Sequence, residues 1–401
     1  MKCIVIGGGV IGTSIAWHLA EAGVGDVTLL ERDRLGSGTT WHSAGNITWK
    51  PSSHHDAPIL YAHDLLKRLK SGGHETGWLT TGRMFIPSTS DTHRYLDSFD
   101  RQARERGIEA RWIEPAEAAR LNPLLDPGSI EAAWLNSHSG RLNPADLTSA
   151  YASAARKAGA IVRESVEVTG LSTKSGRIAG VETSDGTLSA DVVVIAAGLW
   201  SRPLLESLGI ALAQWACEHF YLIADISPRL PRETPSFVAP DELLYGREEV
   251  GRFLFGCFDE NAKTIDPASL PKPFSFTLLP PDWDKIAPYV ERATRLFPVL
   301  ETAPIRQFIN GPESFTPDGF PLVGRIGGVD GLFAATAMNS AGVTWSAMTG
   351  ALIADMVAEK PPRFDPAAYD PSRFGERGYD LDWLKSKISA IVSQGYQNQN
   401  R

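Results

Sequence analysis

The chain has 401 residues, is 43% hydrophobic and 21% charged, and carries a formal net charge of −8. That length is comfortable for two domains, and the proportions are those of an ordinary globular protein. The acidic balance argues against a nucleic-acid partner, and no apolar run is long enough to span a membrane. Three scattered cysteines (Cys3, Cys217, Cys257) suggest neither a disulfide framework nor a metal site.

The first predicted strand, Lys2 to Ile6, starts so early that no leader peptide is expected, and a cytoplasmic location follows as the expectation. Gly7-Gly8-Gly9-Val10-Ile11-Gly12 comes next and opens a helical stretch to Glu21; Val27 to Leu30 is a second strand ending on Glu31. Strand, G-x-G-x-x-G, helix, strand and terminal acid make one βαβ unit of the dinucleotide-binding kind. Gly7 permits the tight turn and Gly9 the approach of backbone to a pyrophosphate. Gly12 lets helix and strand pack closely, Ile11 belongs to the same phosphate loop, and Glu31 can hold a ribose hydroxyl.

After Glu31 a nicotinamide enzyme usually continues into a plain helix. Here Arg32-Asp33-Arg34 leads into Gly36-Ser37-Gly38-Thr39-Thr40-Trp41-His42-Ser43-Ala44-Gly45, a small, hydroxyl-rich loop suited to a flavin and its phosphates. Glu-Arg-Asp, Gly-Ser-Gly-Thr-Thr-Trp-His and Ser-Ala-Gly resemble the dimethylglycine and sarcosine dehydrogenases, including 4-methylaminobutanoate oxidase-like proteins, within the D-amino-acid-oxidase superfamily. The resemblance implies FAD as cofactor, a glutathione-reductase-type Rossmann-like FAD-binding domain and an antiparallel α+β substrate domain. It places Arg32, Ser37, Thr39, Thr40, Trp41, Ala44 and Gly45 around the cofactor. It also makes His42 the residue that carries the flavin covalently.

Helices are predicted over Ala57 to Leu69, Asp91 to Gly107 and Glu114 to Arg120, with strands at Gly82 to Ile86 and Ala132 to Leu135. Asn143 caps a helix with Pro144 at its first position, running to Lys157. Val162 to Val168 and Ile178 to Thr183 read as strands, and the family match sets Val166 beside the adenine. The apolar run Asp191 to Ala196 reads as a buried parallel strand. It ends at Ala197 and Gly198 beside the cofactor, followed by Trp200. From Leu212 to Asn310, separated strands with proline-rich connections, then the helix Ile286 to Phe297, suggest an antiparallel sheet over the flavin.

A second strong block runs from Gly311 through Phe315-Thr316-Pro317-Asp318-Gly319 to the strand Leu332 to Thr336. Ala337-Met338-Asn339-Ser340-Ala341-Gly342-Val343-Thr344 then leads into a helix through Met356. Amides at that helix start (Asn339, Ser340, Gly342, Val343, Thr344) can face the flavin's pyrimidine end, where negative charge gathers on reduction. Ala337 departs from the glycine usual in the family. At Gly311, monomeric sarcosine oxidase has its flavin-linking cysteine, so a cysteine linkage is excluded. The expected division is a discontinuous FAD-binding domain (1–85, 141–210, 310–370), a substrate domain (86–140, 211–309) and a C-terminal tail (371–401), its end polar from Gln394. About forty residues follow Lys360, so no folate-binding module is expected.

The resemblance implies oxidation of a secondary or tertiary amine, an N-methyl amino acid, with O2 or an electron-transfer flavoprotein as acceptor. His219-Phe220-Tyr221 and Tyr245-Gly246-Arg247 match strands that face the flavin in dimethylglycine-oxidising relatives, making His219 and Tyr245 the candidate catalytic residues. Arg247, Arg83 and Arg252 are candidates to anchor a carboxylate. The runner-up is oxidation of a primary or cyclic amino acid such as glycine or proline; a non-catalytic flavoprotein subunit is the rival class.

Overall fold

The computed structural model describes residues 1–52 and 54–394. Its organising layer is a six-stranded sheet built on β1 (Lys2–Ile6), which pairs in parallel with β2 (Asp26–Leu30) on one side and Val192–Ile195 on the other. Ile161–Arg163 extends the sheet beyond β2, and Leu332–Thr336 beyond Val192–Ile195; Leu322–Arg325 closes that edge antiparallel. Every residue of Val192–Ile195 is buried, as a parallel strand covered on both faces requires.

Helix α1 (Val10–Glu21) fills the space between this sheet and two further helices, Pro144–Lys157 and Gly342–Val357. Its almost unbroken burial from Val10 to Leu19 explains why the sequence is apolar there on all faces. Gly12 allows the contact: a Cβ there would lie 1.9 Å from the Gly7 carbonyl oxygen.

The second layer is a nine-stranded sheet. Trp215–Ala224 lies between Ile305–Phe315 and Arg252–Cys257, and Leu244–Glu249 continues from the latter. Arg83–Phe85 and Ile305–Phe315 both belong to this sheet; the expected limit at 85 falls at the end of the first and that at 310 within the second. The fold is α/β, a parallel dinucleotide-binding sheet joined to a mainly antiparallel one.

One expectation needs correction. Val162 to Val168 is not one strand: the chain turns left-handed at Ser165 (φ 60°) and changes sheets, with Ile161–Arg163 before the turn and Val168–Lys174 after it. Hydrogen bonds from Ser165 N–H to Asp33 O (3.0 Å) and from Val166 N–H to Glu31 O (2.9 Å) pin the break beside the end of β2. Within the expected C-terminal tail, residues 371–394 include a packed helix. Leu381–Ser393 is a helix capped by Asp380, and it buries Leu384, Ile388 and Val392 against Trp215 and Phe315. Residues 395–401, most of the expected polar end, lie outside the described residues. No helix among the described residues is long and apolar enough to cross a membrane.

Two adjoining cavities at the strand ends

A cavity of about 480 Å³ opens where β1, β2, Val192–Ile195 and Leu332–Thr336 end. Gly7, Gly9 and Ile11 line its floor, and the amides at the start of α1 lack a side-chain cap, apart from Val10 N–H, which Thr40 Oγ1 accepts at 3.1 Å. Uncapped amides at a helix start favour an anion. Gly7 needs its freedom: its φ is 106°, and a Cβ would meet the Ala196 carbonyl oxygen at 2.4 Å.

Glu31 is held at the end of β2 by Gly8 N–H (2.6 Å) and Asp33 N–H (2.8 Å). Burial raises its carboxyl pKa, with those two amides acting in the opposite direction. Arg32 lines the wall with its guanidinium 4.3 Å from the Trp200 ring centroid. Ser37, Thr39, Thr40, Val166, Ala197, Gly198 and Trp200 complete that side. The Gly198 carbonyl accepts from Gln214 Nε2 (3.1 Å) and Thr336 Oγ1 (3.0 Å), which fixes the turn.

At the other end the wall is the turn before Gly342–Val357. Ala337, Asn339 and Ser340 all have left-handed backbone (φ 54°, 51° and 60°). The expected difficulty at Ala337 is therefore present and tolerated. Asn339 compensates: its Oδ1 accepts from Thr316 N–H (2.9 Å) and its Nδ2 donates to Ala337 O (2.7 Å). Gly342 and Val343 contribute the start of a helix with no side-chain cap, whereas Thr344 Oγ1 is committed to Asn46 O (3.1 Å).

His42 ends the short turn Thr39–His42 and is buried. Burial lowers its pKa; Glu313 pulls in the raising direction and His219 in the lowering one. The imidazole lies against Gly311, where a Cβ would fall 2.4 Å from the ring. Trp41 does not line the cavity; its ring packs edge-on against His42 and beside Phe276.

A second cavity, of about 80 Å³, shares Ser43, Glu313, Asn339, Ser340 and Val343 with the first. His42, Ala44, Gly45 and Thr344 line this one rather than the larger. So do His219 and Tyr245, brought together across the sheet: His219 Nε2 and Tyr245 Oη are 2.9 Å apart, and the rings lie within 6° of parallel. Phe258 packs on both.

Of the three candidate carboxylate anchors, only Arg83 lines the cavity, and it is 2% exposed. Arg247 is buried but spent elsewhere: Nε donates to Ala44 O (2.6 Å), Nη1 to Glu248 O (2.7 Å), and Glu249 pairs with it. Arg252 pairs with Asp225 at 2.6 Å and is half-exposed, away from both cavities. The sequence reading missed Lys50, which is 4% exposed beside Arg83, and His55, whose ring packs on Trp345. Burial and the Arg83 charge push the Lys50 ammonium pKa down to about 7. Its one signal was a lone lysine ending the apolar Ile47-Thr48-Trp49. Glu313 and Lys272, the latter on the larger cavity, were missed too. No group of three or more metal-ligating side chains exists among the described residues.

The chain is 32% identical over 99% of its length to 4-methylaminobutanoate oxidase (formaldehyde-forming) of Paenarthrobacter nicotinovorans, covering 48% of that protein. It is likewise 32% identical over 98% of its length to human (Homo sapiens) mitochondrial sarcosine dehydrogenase, covering 44% of it. The chain thus spans about half the length of the curated relatives it matches. Among solved structures, the L-proline dehydrogenase of P. horikoshii superposes with a TM-score of 0.84 at 25% identity, covering 94% of this chain and 98% of that one. The model of the DAO family, described as FAD dependent oxidoreductase, matches residues 2–356. With the glycine loop, the acid ending β2 and the two adjoining cavities in place, the chain belongs to the DAO family of FAD-dependent oxidoreductases.

Proposed function

We propose that this chain oxidises a secondary or tertiary amine bearing a carboxylate, an N-methyl amino acid such as sarcosine, dimethylglycine or methylaminobutanoate. The carrying observation is the second cavity: it shares a wall with the dinucleotide cavity and holds His219, Tyr245, Lys50 and Arg83. Relatives named for N-methyl amine substrates support the same reading.

The residues present fit FAD. An elongated cavity runs from glycine-loop amides past an acid fixed at the strand end to a second, uncapped helix start. A side chain at Gly7 would collide with the Ala196 carbonyl beside that floor. The chemistry FAD supplies when bound is acceptance of a hydride from the carbon beside the nitrogen, leaving an iminium that water converts to demethylated amine and formaldehyde.

The chain's own residues bind, orient and exclude water. Arg83 and Lys50 hold the carboxylate; a bound anion restores the positive charge that burial disfavours on Lys50. The His219–Tyr245 pair and Phe258 form the wall against which the amine lies. His42, whose pKa burial lowers, would be the residue to hold the flavin covalently, through a ring nitrogen. Released electrons pass to O2 or to an electron-transfer flavoprotein.

An anaerobic screen of N-methylated amino acids, with flavin absorbance followed, tests the function. Bleaching by an N-methyl acid and indifference to the matching N-methyl amine without a carboxylate are expected. Bleaching by primary amino acids or proline alone would replace this reading with the runner-up. For the linkage, the peptide holding His42 should carry the added mass of FAD after acid denaturation; an unmodified peptide would end the covalent claim.

A further inference from the structure

The shared wall of the two cavities carries one side chain whose role remains open. Glu313 lies on the strand Ile305–Phe315, paired in register with Cys217 of the neighbouring strand, two residues from His219. It is 6% exposed and lines both cavities. Its Oε2 has no hydrogen-bond partner among the described residues. A buried carboxylate oxygen left unpaired is costly to keep, and one that faces a cavity is placed to meet what binds there.

The surroundings say which ligand. Lining the cavity with Glu313 are His42 from the Thr39–His42 turn, His219 and Tyr221 from the adjacent strand, and Tyr245 from two strands further on. The cationic side chains Lys50 and Arg83 line the same cavity, in the part not shared with the dinucleotide cavity. Positive charge thus sits in the unshared part and negative charge at the shared wall. A zwitterion matches that polarity in one direction: carboxylate toward Lys50 and Arg83, ammonium toward Glu313. This orientation brings the carbon beside nitrogen to the wall where the cofactor lies.

We propose that Glu313 binds the substrate ammonium and accepts its proton before oxidation, an assignment that rests on the amino-acid reading above. The N–H bond breaks, its electron pair stays on nitrogen, and the proton forms an O–H bond at Glu313 Oε2. The nitrogen lone pair is then free to form the C=N bond as hydride leaves for FAD. No further oxidant or base is required.

The test uses the flavin-loaded full chain and two variants, Glu313→Gln and Glu313→Asp. In wild-type protein the rate of flavin reduction should hold up near neutral pH, where the free substrate is an ammonium. In Glu313→Gln that rate should fall at least tenfold at neutral pH and recover as pH rises toward the amine's own pKa, with Glu313→Asp intermediate. Binding gives a readout independent of turnover: by calorimetry, wild type should favour trimethylglycine at least tenfold over 3,3-dimethylbutyrate, the isosteric carboxylate in which carbon replaces the cationic nitrogen. Glu313→Gln should lose that preference while still binding both acids. If wild type is reduced but Glu313→Gln keeps both the pH profile and the cation preference, the assignment to Glu313 is overturned and the functional reading stands. If Glu313→Gln does not fold, the same two outcomes are read from Glu313→Asp. If no N-methyl amino acid reduces wild type, the functional reading falls and takes this assignment with it.

Discussion

At the scale of single residues, the site is shaped as much by what is small as by what reacts. Gly311 leaves room for the His42 ring, and its φ is not left-handed; space, not backbone freedom, fixes this position. Gly311→Ala should therefore destabilise the protein by about 1–3 kcal/mol, the usual cost of overpacking, and should abolish covalent flavin while free FAD still binds. Denaturant unfolding and the mass of the His42 peptide check both parts; unchanged attachment would show that the ring can move. Lys50 makes the opposite bargain, a charge kept where burial disfavours it. Below about pH 7 it is protonated in folded and unfolded chains alike, so the folded state bears the full burial penalty. Between about 7 and its unperturbed 10.5 only the unfolded chain keeps the proton, and stability rises with pH. Lys50→Met should accordingly stabilise the protein, most below pH 7 and least above pH 10.5, while weakening binding of carboxylate ligands by tenfold or more. Thermal melts across that range decide it: a gain that does not shrink with pH would mean Lys50 is not strained by burial.

At the scale of elements, much of the βαβ opening was legible because local signals there agree. Glycine spacing, apolar run and terminal acid all occur within thirty residues, and the structure pairs β1 with β2 and tucks α1 beneath them. The long apolar strand Val192–Ile195 and the Asn143-capped helix were legible for the same reason. What could not be read were features set by partners far away in sequence. Arg83–Phe85 joins Ser236–Ala239, some 150 residues on, and nothing in either segment says so. Lys50 reads as a surface lysine until a fold closes over it. Arg247 and Arg252 show the converse, since motif matching cannot tell which partners an arginine has already found. The turn at Ala337 was legible as a departure and carries a test. A non-glycine residue in left-handed backbone costs roughly 1–2 kcal/mol, whereas glycine adds about 0.4–1 kcal/mol of unfolded-state entropy. Ala337→Gly should therefore raise stability by a net amount of about 1 kcal/mol or less, measurable as a higher denaturant midpoint with unchanged slope. A lower midpoint would mean that the methyl group's burial, at 1% exposure, outweighs the strain.

At the scale of the whole molecule, the site belongs to neither sheet alone. The dinucleotide cavity takes its floor and one wall from the six-stranded sheet and its connections. Glu313 and Ser314 come from a strand of the nine-stranded sheet, and Lys272 from a loop between two of that sheet's strands. A cofactor filling this cavity touches both layers, so its binding energy should couple their unfolding. Ligand binding to the folded state alone contributes RT ln(1 + [L]/Kd), about 2.7 kcal/mol at a hundredfold excess over Kd. The measurement needs reversible cofactor, which a His42→Ala chain stripped of flavin provides. In calorimetry the stripped protein should melt at lower temperature, with the two layers separating into distinguishable steps. Adding FAD should raise the midpoint by a few degrees and merge the steps into one, because neither layer can then open without releasing the ligand. An FAD-dependent shift confined to one step, with a second left at its stripped temperature, would show that the nine-stranded layer holds the cofactor too weakly to share its stability. In that case the contacts through Lys272, Glu313 and Ser314 would line the cavity without contributing to cofactor affinity.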